Sequence, residues 1–240
     1  MSLPVFLHEG PFGASVELTG PEARHAVTVK RIAPGEHLRL IDGRGAWAEV
    51  VVTATSGRER LSADVLRQGV AEPPRPTVTV VQALPKSDRS ELAVDLATQA
   101  GADVIVPWQA ERCVAKWTGP KAGKGVAKWE AAALAAAKQS RRTRVPEIAE
   151  PVGTAQLAQQ LAGRTVLVLH EESATPIREI DLDVEEIVLV IGPEGGIGAE
   201  ELATLTDAGA RAVRLGPEVL RTASAAMVAL SAIGVLTSRW

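Results

Sequence analysis

Apolar and polar positions change rhythm once along this 240-residue chain. Up to about residue 70, short alternating or β-branched runs stand between turn signals: Leu3 to Leu7, Ser15 to Leu18, His37 to Ile41, Ala46 to Thr53 and Leu61 to Leu66. A period of two marks strands with one buried face, and Asp42-Gly43 between two of them is a hairpin signal. One helix is expected to interrupt them, over Pro21 to Arg31, with proline at its start, Ala26, Val27 and Val29 inside it and Lys30-Arg31 at a basic end. The pattern predicts a small β-rich, barrel-like module with one helix.

Ala71-Glu-Pro-Pro-Arg-Pro76 then breaks every regular pattern, because proline removes donors and holds its predecessor extended. A domain boundary is expected there, with residues 1–72 before it and 73–240 after it. Beyond it strands and helices alternate. Strands are predicted over Thr77 to Leu84, Asp103 to Pro107, Thr165 to His170, Glu186 to Ile191 and Ala212 to Leu215. Helices are predicted over Asp88 to Ala100, Val126 to Gln139, Thr154 to Leu161, Ala199 to Ala208 and a last stretch ending near Leu236. Strands apolar on both faces that alternate with helices predict an α/β fold with a covered parallel sheet.

Composition fits an ordinary globular protein, at 46% apolar and 23% charged residues. One cysteine, Cys113, excludes a disulfide framework, and four histidines argue against a structural zinc cluster; no metal is expected. The N-terminus lacks a basic lead and a long apolar run, and Thr222 to Ser238 is short for a bilayer span, so a cytoplasmic protein without a membrane partner is expected. Net charge is only −3. That mean hides an asymmetry: residues 112–144 hold nine basic residues against Glu130 alone, leaving −11 for the rest. Such a strip either attracts a polyanion or is a solvated helix face with a basic loop.

In open parallel sheets, ligands sit beyond the carboxyl ends of the strands. The loops after His170, Ile191 and Leu215 are therefore the places to search, and the last two are rich in glycine: Ile191-Gly-Pro-Glu-Gly-Gly-Ile-Gly198 and Leu215-Gly-Pro-Glu-Val-Leu-Arg-Thr222. Glycine lets a ligand approach main-chain N–H and C=O groups closely. Glu194, Glu200 and Glu201 repel anions there, the dinucleotide glycine spacing is absent, and Gly119 to Gly125 lacks the Ser/Thr of a phosphate-binding loop. An uncharged or cationic ligand fits better, and S-adenosylmethionine has an adenosine, no phosphate and a sulfonium. Taken alone, Gly-Pro-Glu-Gly-Gly is also compatible with a plain tight turn.

Ile191-Gly-Pro-Glu-Gly-Gly-Ile, Leu215-Gly, Val219-Leu-Arg-Thr and the alanine-rich terminal helix together resemble the cofactor-binding half of the SPOUT methyltransferases. More closely, the chain resembles the bacterial 16S ribosomal RNA uridine-N3 methyltransferase family, which joins a PUA-like N-terminal domain to that catalytic domain. Arg24-His25-Ala-Val-Thr-Val-Lys-Arg31 with Gly35, Pro85-Lys86 to Asp88-Arg89, Glu111-Arg112-Cys113 and Gln139-Ser140 through Arg144-Val-Pro-Glu147 carry the resemblance almost end to end. Two positions depart from it. Gln99-Ala100-Gly101 stands where Glu-Leu-Gly is frequent, and Leu220-Arg-Thr-Ala-Ser-Ala225 puts Ala223 where an acid is frequent. Ala223 offers no base.

The resemblance implies a knotted catalytic domain, a homodimer, S-adenosylmethionine as cofactor and the small ribosomal subunit as partner. It implies cofactor contacts at Leu169, Ile191, Gly192, Pro193, Glu194, Gly195, Gly196, Leu215, Gly216, Leu220, Thr222 and Ala225. Arg221 is expected to polarise a uracil carbonyl or bind phosphate, with His170 and Glu171 as candidates for proton removal. Arg24, His25, Lys30, Arg31, Arg112, Arg141, Arg142 and Arg144 are expected to hold RNA. The five tryptophans either stack bases or pack. Ribose 2′-hydroxyl methylation and a non-catalytic RNA-binding role remain alternatives, because cofactor loops do not encode the acceptor. A nucleotide-dependent oxidoreductase is disfavoured by the acids around Gly195.

Overall fold

A computed structural model of the chain describes residues 3–86 and 89–240. They form two units, one comprising the chain up to Pro73 together with Ala137–Val145, the other Pro74–Ala136 and Pro146–Trp240.

In the first unit, β1 (Val5–Leu7), β2 (Ser15–Thr19), β3 (His37–Ile41), β4 (Ala46–Ser56) and β5 (Arg60–Val70) make one sheet in the order β1-β3-β4-β5-β2. β1 runs parallel to β3 and the other pairs are antiparallel. Alternate side chains, among them Phe6, Leu18, Leu38, Leu40, Val50 and Leu61, form the core. Register shifts after Glu49 and Val52 mark bulges, which bend a strand and raise its twist. The sheet curls into a half-barrel. The expected barrel is thus incomplete, because β1 and β2 do not pair.

The helical segment lies between β2 and β3, and Glu22 on it accepts the Leu7 backbone N–H at 2.8 Å, satisfying one edge donor of β1. The single helix expected over Pro21 to Arg31 is in fact α1 (Gly20–Arg24) followed by a π-helical turn (His25–Val29). Val27, Thr28 and Val29 are β-branched and crowd a regular α wall, and Ala23 and Ala26 both reach the core. The hairpin after β3 uses four residues, 42–45, the gap the two predicted strands leave. Asp42 Oδ1 accepts the N–H groups of Arg44 and Ala46 at 2.7 and 2.9 Å and fixes it.

In the second unit, β6 (Thr77–Ala83), β7 (Val104–Gln109), β8 (Glu147–Ile148), β10 (Val166–Leu169), β11 (Glu186–Ile191) and β12 (Arg211–Val213) line up as β12-β10-β11-β6-β7-β8, with β9 (Val152–Gly153) also on β7. All pairs are parallel. α2 (Ser90–Gln99) packs on α6 (Thr222–Leu236), and α4 (Thr154–Leu161) on α5 (Ala199–Asp207). β6 and β11 are buried almost throughout, as central strands covered on two faces must be.

Asp88, the expected first residue of α2, lies outside the described residues. α3 (Pro120–Gln139) starts six residues before Val126 and absorbs Gly123 and Gly125 of the expected loop. A β-carbon at Gly125 would stand 2.5 Å from Trp117 Cε2, so glycine lets the indole lie on the helix, edge-on to buried Trp129 at 5.0 Å. β8, β9 and a 3₁₀ turn (Ile177–Glu179) are too short to leave a periodic trace. Among the described residues no helix is long and apolar enough to cross a membrane.

Candidate functional site

β10, β11 and β12 run side by side in one direction, so the loops leaving their carboxyl ends meet at one edge of the sheet. A cleft of about 430 Å³ opens there. Its lining comes from Leu169 to Glu172, from Ile191 to Ile197 except Glu194, and from Arg214 to Leu220 except Pro217. Thr222 and Ala225 of α6 and Ala199 and Leu202 of α5 complete it, with Arg112 reaching in from the turn after β7.

Backbone geometry in the second loop depends on glycine at two places. A β-carbon on Gly192 would fall 2.7 Å from Ile197 Cγ1, and Gly196 has φ of +72°, a region that side chains rarely tolerate. Gly195 lies against Arg112, whose guanidinium donates to its carbonyl oxygen at 3.0 Å. Three acids, Glu171, Glu172 and Glu218, share the rim with two cations, Arg112 and Arg214. That balance favours a cationic or neutral occupant over a phosphate.

Eleven of the twelve positions expected to bind cofactor line this cleft along with His170 and Glu171; the structure brings them together from three separate loops and α6. Counting by residue, the exception is Glu194, whose exposed carboxylate accepts the Lys86 backbone N–H at 3.1 Å and ties the loop to the end of β6. Arg221 is also outside the lining. It is the exposed residue just before α6, and its carbonyl accepts the N–H groups of Ser224 and Ala225. His170 Nδ1 accepts the Glu172 N–H at 3.3 Å, leaving the proton of a neutral ring on Nε2. Arg214, Glu172, Glu218 and Val219 were missed by sequence reasoning. Arg214 and Glu172 sit one or two residues from the strand ends singled out, and that adjacency was the available signal.

The residues expected to hold RNA divide by what they do. Arg144 is half-buried and donates to the Ala71 carbonyl at 2.9 Å. Arg24 pairs with Glu59 at 3.4 Å, and His25 meets Phe6 edge-on. Lys30, Arg31 and Arg141 are exposed, while Arg142 is half-buried. Arg31 and Arg141 both have positive φ, +57° and +61°, at the ends of helical segments where glycine is usual. Elsewhere in the basic strip, Lys138 is bound to Glu22 at 2.6 Å. Of the tryptophans, Trp108 and Trp129 are core, whereas the Trp47 ring carries the guanidiniums of Arg39 and Arg67 at 5.1 and 5.9 Å from its centroid.

Cys113 is buried behind the Arg112 turn, and burial is the main cause that pushes its thiol above the ordinary value of 9.0. A thiol held protonated is no nucleophile. Among the described residues no cluster of His, Cys, Asp or Glu is arranged to hold a metal.

Comparison with known proteins gives a consistent picture. Residues 71–234 match the family described as RNA methyltransferase domain, and residues 18–66 the one described as RNA methyltransferase PUA domain. The chain is 55% identical over 234 residues to ribosomal RNA small subunit methyltransferase E of Mycobacterium tuberculosis, covering 95% of this chain and 89% of that one. The protein of the same name from Bacillus subtilis is 30% identical over 230 residues, covering 92% and 90%. A crystal structure of ribosomal RNA small subunit methyltransferase E from Neisseria gonorrhoeae bound to S-adenosyl methionine is similar at a TM-score of 0.89 and 26% identity, over 98% of both chains.

Proposed function

The chain belongs to the RNA methyltransferase family, among the small subunit ribosomal RNA methyltransferases E, and from that premise we propose that its glycine-rimmed cleft is where a uridine of 16S ribosomal RNA is methylated at N3. The protein is an S-adenosylmethionine-dependent ribosomal RNA methyltransferase. The observation that carries the reading of the site is the convergence of three strand-end loops, two of them glycine-rich, on one acid-rimmed cleft.

The residues present fit S-adenosylmethionine. Backbone at Gly192, Gly195 and Gly196 can be approached closely, Leu169, Ile191, Leu202 and Ala225 supply apolar walls, and Glu171, Glu172 and Glu218 favour a sulfonium. When bound, the cofactor supplies an electrophilic methyl group. The chain's own part is to hold the base with N3 in line and to stabilise the anionic uracil formed when the N3 proton leaves. Glu171 is exposed on the rim and takes that proton. His170 is occupied at Nδ1 by the turn it closes, so it orients the first loop. Arg112 lines the cleft, and its charge there would stabilise the negative charge that collects on a uracil carbonyl oxygen. Arg221, exposed beside the third loop, meets the phosphate next to the target base. A base must leave its stack to enter such a cleft.

Residues 73–240 carry the chemistry, and 1–72 grip RNA with Arg24, His25, Lys30 and Arg31, joined by Arg141 and Arg142. Arginine at two positions where glycine would relieve strain supports a functional reason for the side chains. The exposed apolar residues Leu92, Val228, Val235 and Leu236, on the packed pair α2 and α6, support a homodimer. The return of α6 onto β6 and β11 after β12 has crossed to the far edge supports the knotted path. A ribosomal RNA substrate supports a cytoplasmic location.

The direct test is incubation of small subunits with the purified protein and labelled S-adenosylmethionine, followed by nucleoside analysis. Label in 3-methyluridine is expected. Label in a 2′-O-methylated nucleoside would replace the reading with ribose methylation, and cofactor binding without transfer would leave an RNA-binding protein.

A further inference from the structure

A buried carboxylate beside the cleft is unexplained by the reading above. Glu201, in the first turn of α5, is 7% exposed, and its Oε2 is buried without a hydrogen-bond partner. Its other oxygen, Oε1, accepts the Glu111 backbone N–H at 2.9 Å and the Thr154 hydroxyl at 2.5 Å. The Thr154 oxygen in turn accepts the indole N–H of fully buried Trp108 at 3.1 Å. A desolvated, half-satisfied carboxylate is costly, and each such group in a folded protein needs a reason.

The location supplies one. Glu111 directly precedes Arg112, and both are exposed in the turn that leaves β7. No strand or helix holds that turn; Cys113 N–H bonds to the Ala110 carbonyl and Glu111 N–H to Glu201. The far end of Arg112 is held by the Gly195 carbonyl. Beside Gly198, where the absent β-carbon makes room, three charged side-chain atoms crowd against the backbone. A β-carbon there would lie 3.1 Å from Glu111 Oε2, 3.9 Å from Arg112 Nε and 3.9 Å from Glu201 Oε2. The arginine therefore has a neutral anchor at its tip and a negative field along its shaft, and the buried end of that field is fixed to Trp108 in the core.

We propose that Glu201 is a positioning residue for methyl transfer: by holding the Glu111 N–H against the Thr154–Trp108 pair, it fixes the turn from which Arg112 reaches the reacting base. This rests on the reading of Arg112 given above. It assigns the second acid of the loop-to-helix junction to the geometry of the RNA-side cation, not to the cofactor. Misplacing a catalytic group by about 1 Å costs on the order of 100-fold in rate, and an unheld turn allows at least that.

A double-mutant cycle on the full-length protein, with small subunits as substrate, tests it. Glu201→Ala is expected to lower kcat by about 10- to 100-fold while calorimetric affinity for S-adenosylmethionine changes less than about threefold. Arg112→Ala lowers kcat similarly, and the double variant is no worse than Arg112→Ala, because the two act as one unit. Glu201→Gln, which keeps an acceptor for Glu111, restores most of the turnover lost in the alanine variant. Independently of turnover, amide hydrogen exchange at residues 110–113 rises in Glu201→Ala while β7 stays protected. Should the alanine variant fail to fold, Glu201→Asp, with the charge kept and the reach shortened, goes through the same cycle. Additive losses of kcat, unchanged exchange at 110–113, or a loss confined to cofactor affinity would overturn the proposal. An additive cycle in a protein that makes 3-methyluridine removes this inference alone, whereas a wild-type protein that makes none removes the methylation reading and leaves the exchange result to decide the turn.

Discussion

Glu194 and Lys86 are bound across the sheet edge, the glutamate carboxylate accepting the lysine backbone N–H at 3.1 Å. The acid at the centre of the glycine loop is thereby spent on its own backbone and is not among the residues lining the cleft. Glu194→Gln keeps an acceptor and should leave S-adenosylmethionine affinity within about threefold, whereas Glu194→Ala frees the loop and should weaken it by about 1 kcal/mol, the usual worth of such a bond. Titration calorimetry distinguishes them. A large loss in the glutamine variant would mean that the charge itself meets the cofactor.

The same loop is shaped by a close approach. With Gly192 only 2.7 Å from Ile197 Cγ1 once a β-carbon is added, Gly192→Ala should cost about 1–3 kcal/mol of cofactor affinity through overpacking. Ile197→Ala in the same chain should return part of it. The double variant's affinity, measured by calorimetry, should lie between those of the wild type and Gly192→Ala.

Arg141 ends α3 in a left-handed conformation, with φ of +61°, and Arg142 N–H closes the turn onto the Ala137 carbonyl at 2.9 Å. Glycine relieves the strain, so Arg141→Gly should raise unfolding free energy by about 1 kcal/mol in urea titrations. If the side chain holds RNA, the same variant should bind ribosomal RNA more weakly and flatten the dependence of binding on salt. A gain in stability with unchanged salt dependence would make the arginine a mere helix cap.

Stability of the second unit depends on its last residues. The Arg239 guanidinium, 3% exposed, bonds to Asp103 at 2.9 Å and to the Pro76 and Gly101 carbonyls. Arg239→Ala removes the guanidinium from this pair, and breaking a buried pair costs about 3–5 kcal/mol. Chemical denaturation should show a loss of that order.

In the first unit, Glu49 lies between Arg39 and Arg67, at 2.5 and 2.6 Å. The hydrogen bond from Arg67, followed by that from Arg39, lowers its pKa below the ordinary 4.5. A lowered folded-state pKa gives stability that is complete above the unfolded value and is lost as pH falls through the folded one. Acid unfolding below about pH 4.5 should therefore lose this contribution in the wild type, and Glu49→Gln should remove that part of the pH dependence.

Much of this was legible because burial imposes periodicity. β3, β11 and α4 begin and end at the residues the pattern predicts, and the cleft lies at the strand ends where open parallel sheets hold ligands. What was not legible is what long-range contacts decide. The β-branched run Val27 to Val29 disfavours a regular helix but does not specify a π-turn, which also depends on packing Ala23 and Ala26 into the core, and two glycines hid the first turns of α3. Arg112 reads in sequence as one more member of a basic strip. Only the meeting of β7's turn with the Gly195 carbonyl moves it from that strip into the cleft.

The central claim, methylation of a 16S uridine at N3, is tested most directly by mass spectrometry of ribosomal RNA from cells with and without this protein. The account predicts that one 3-methyluridine disappears from 16S RNA in its absence and returns when the protein is restored. Unchanged 3-methyluridine, or loss of a different modification, would contradict it.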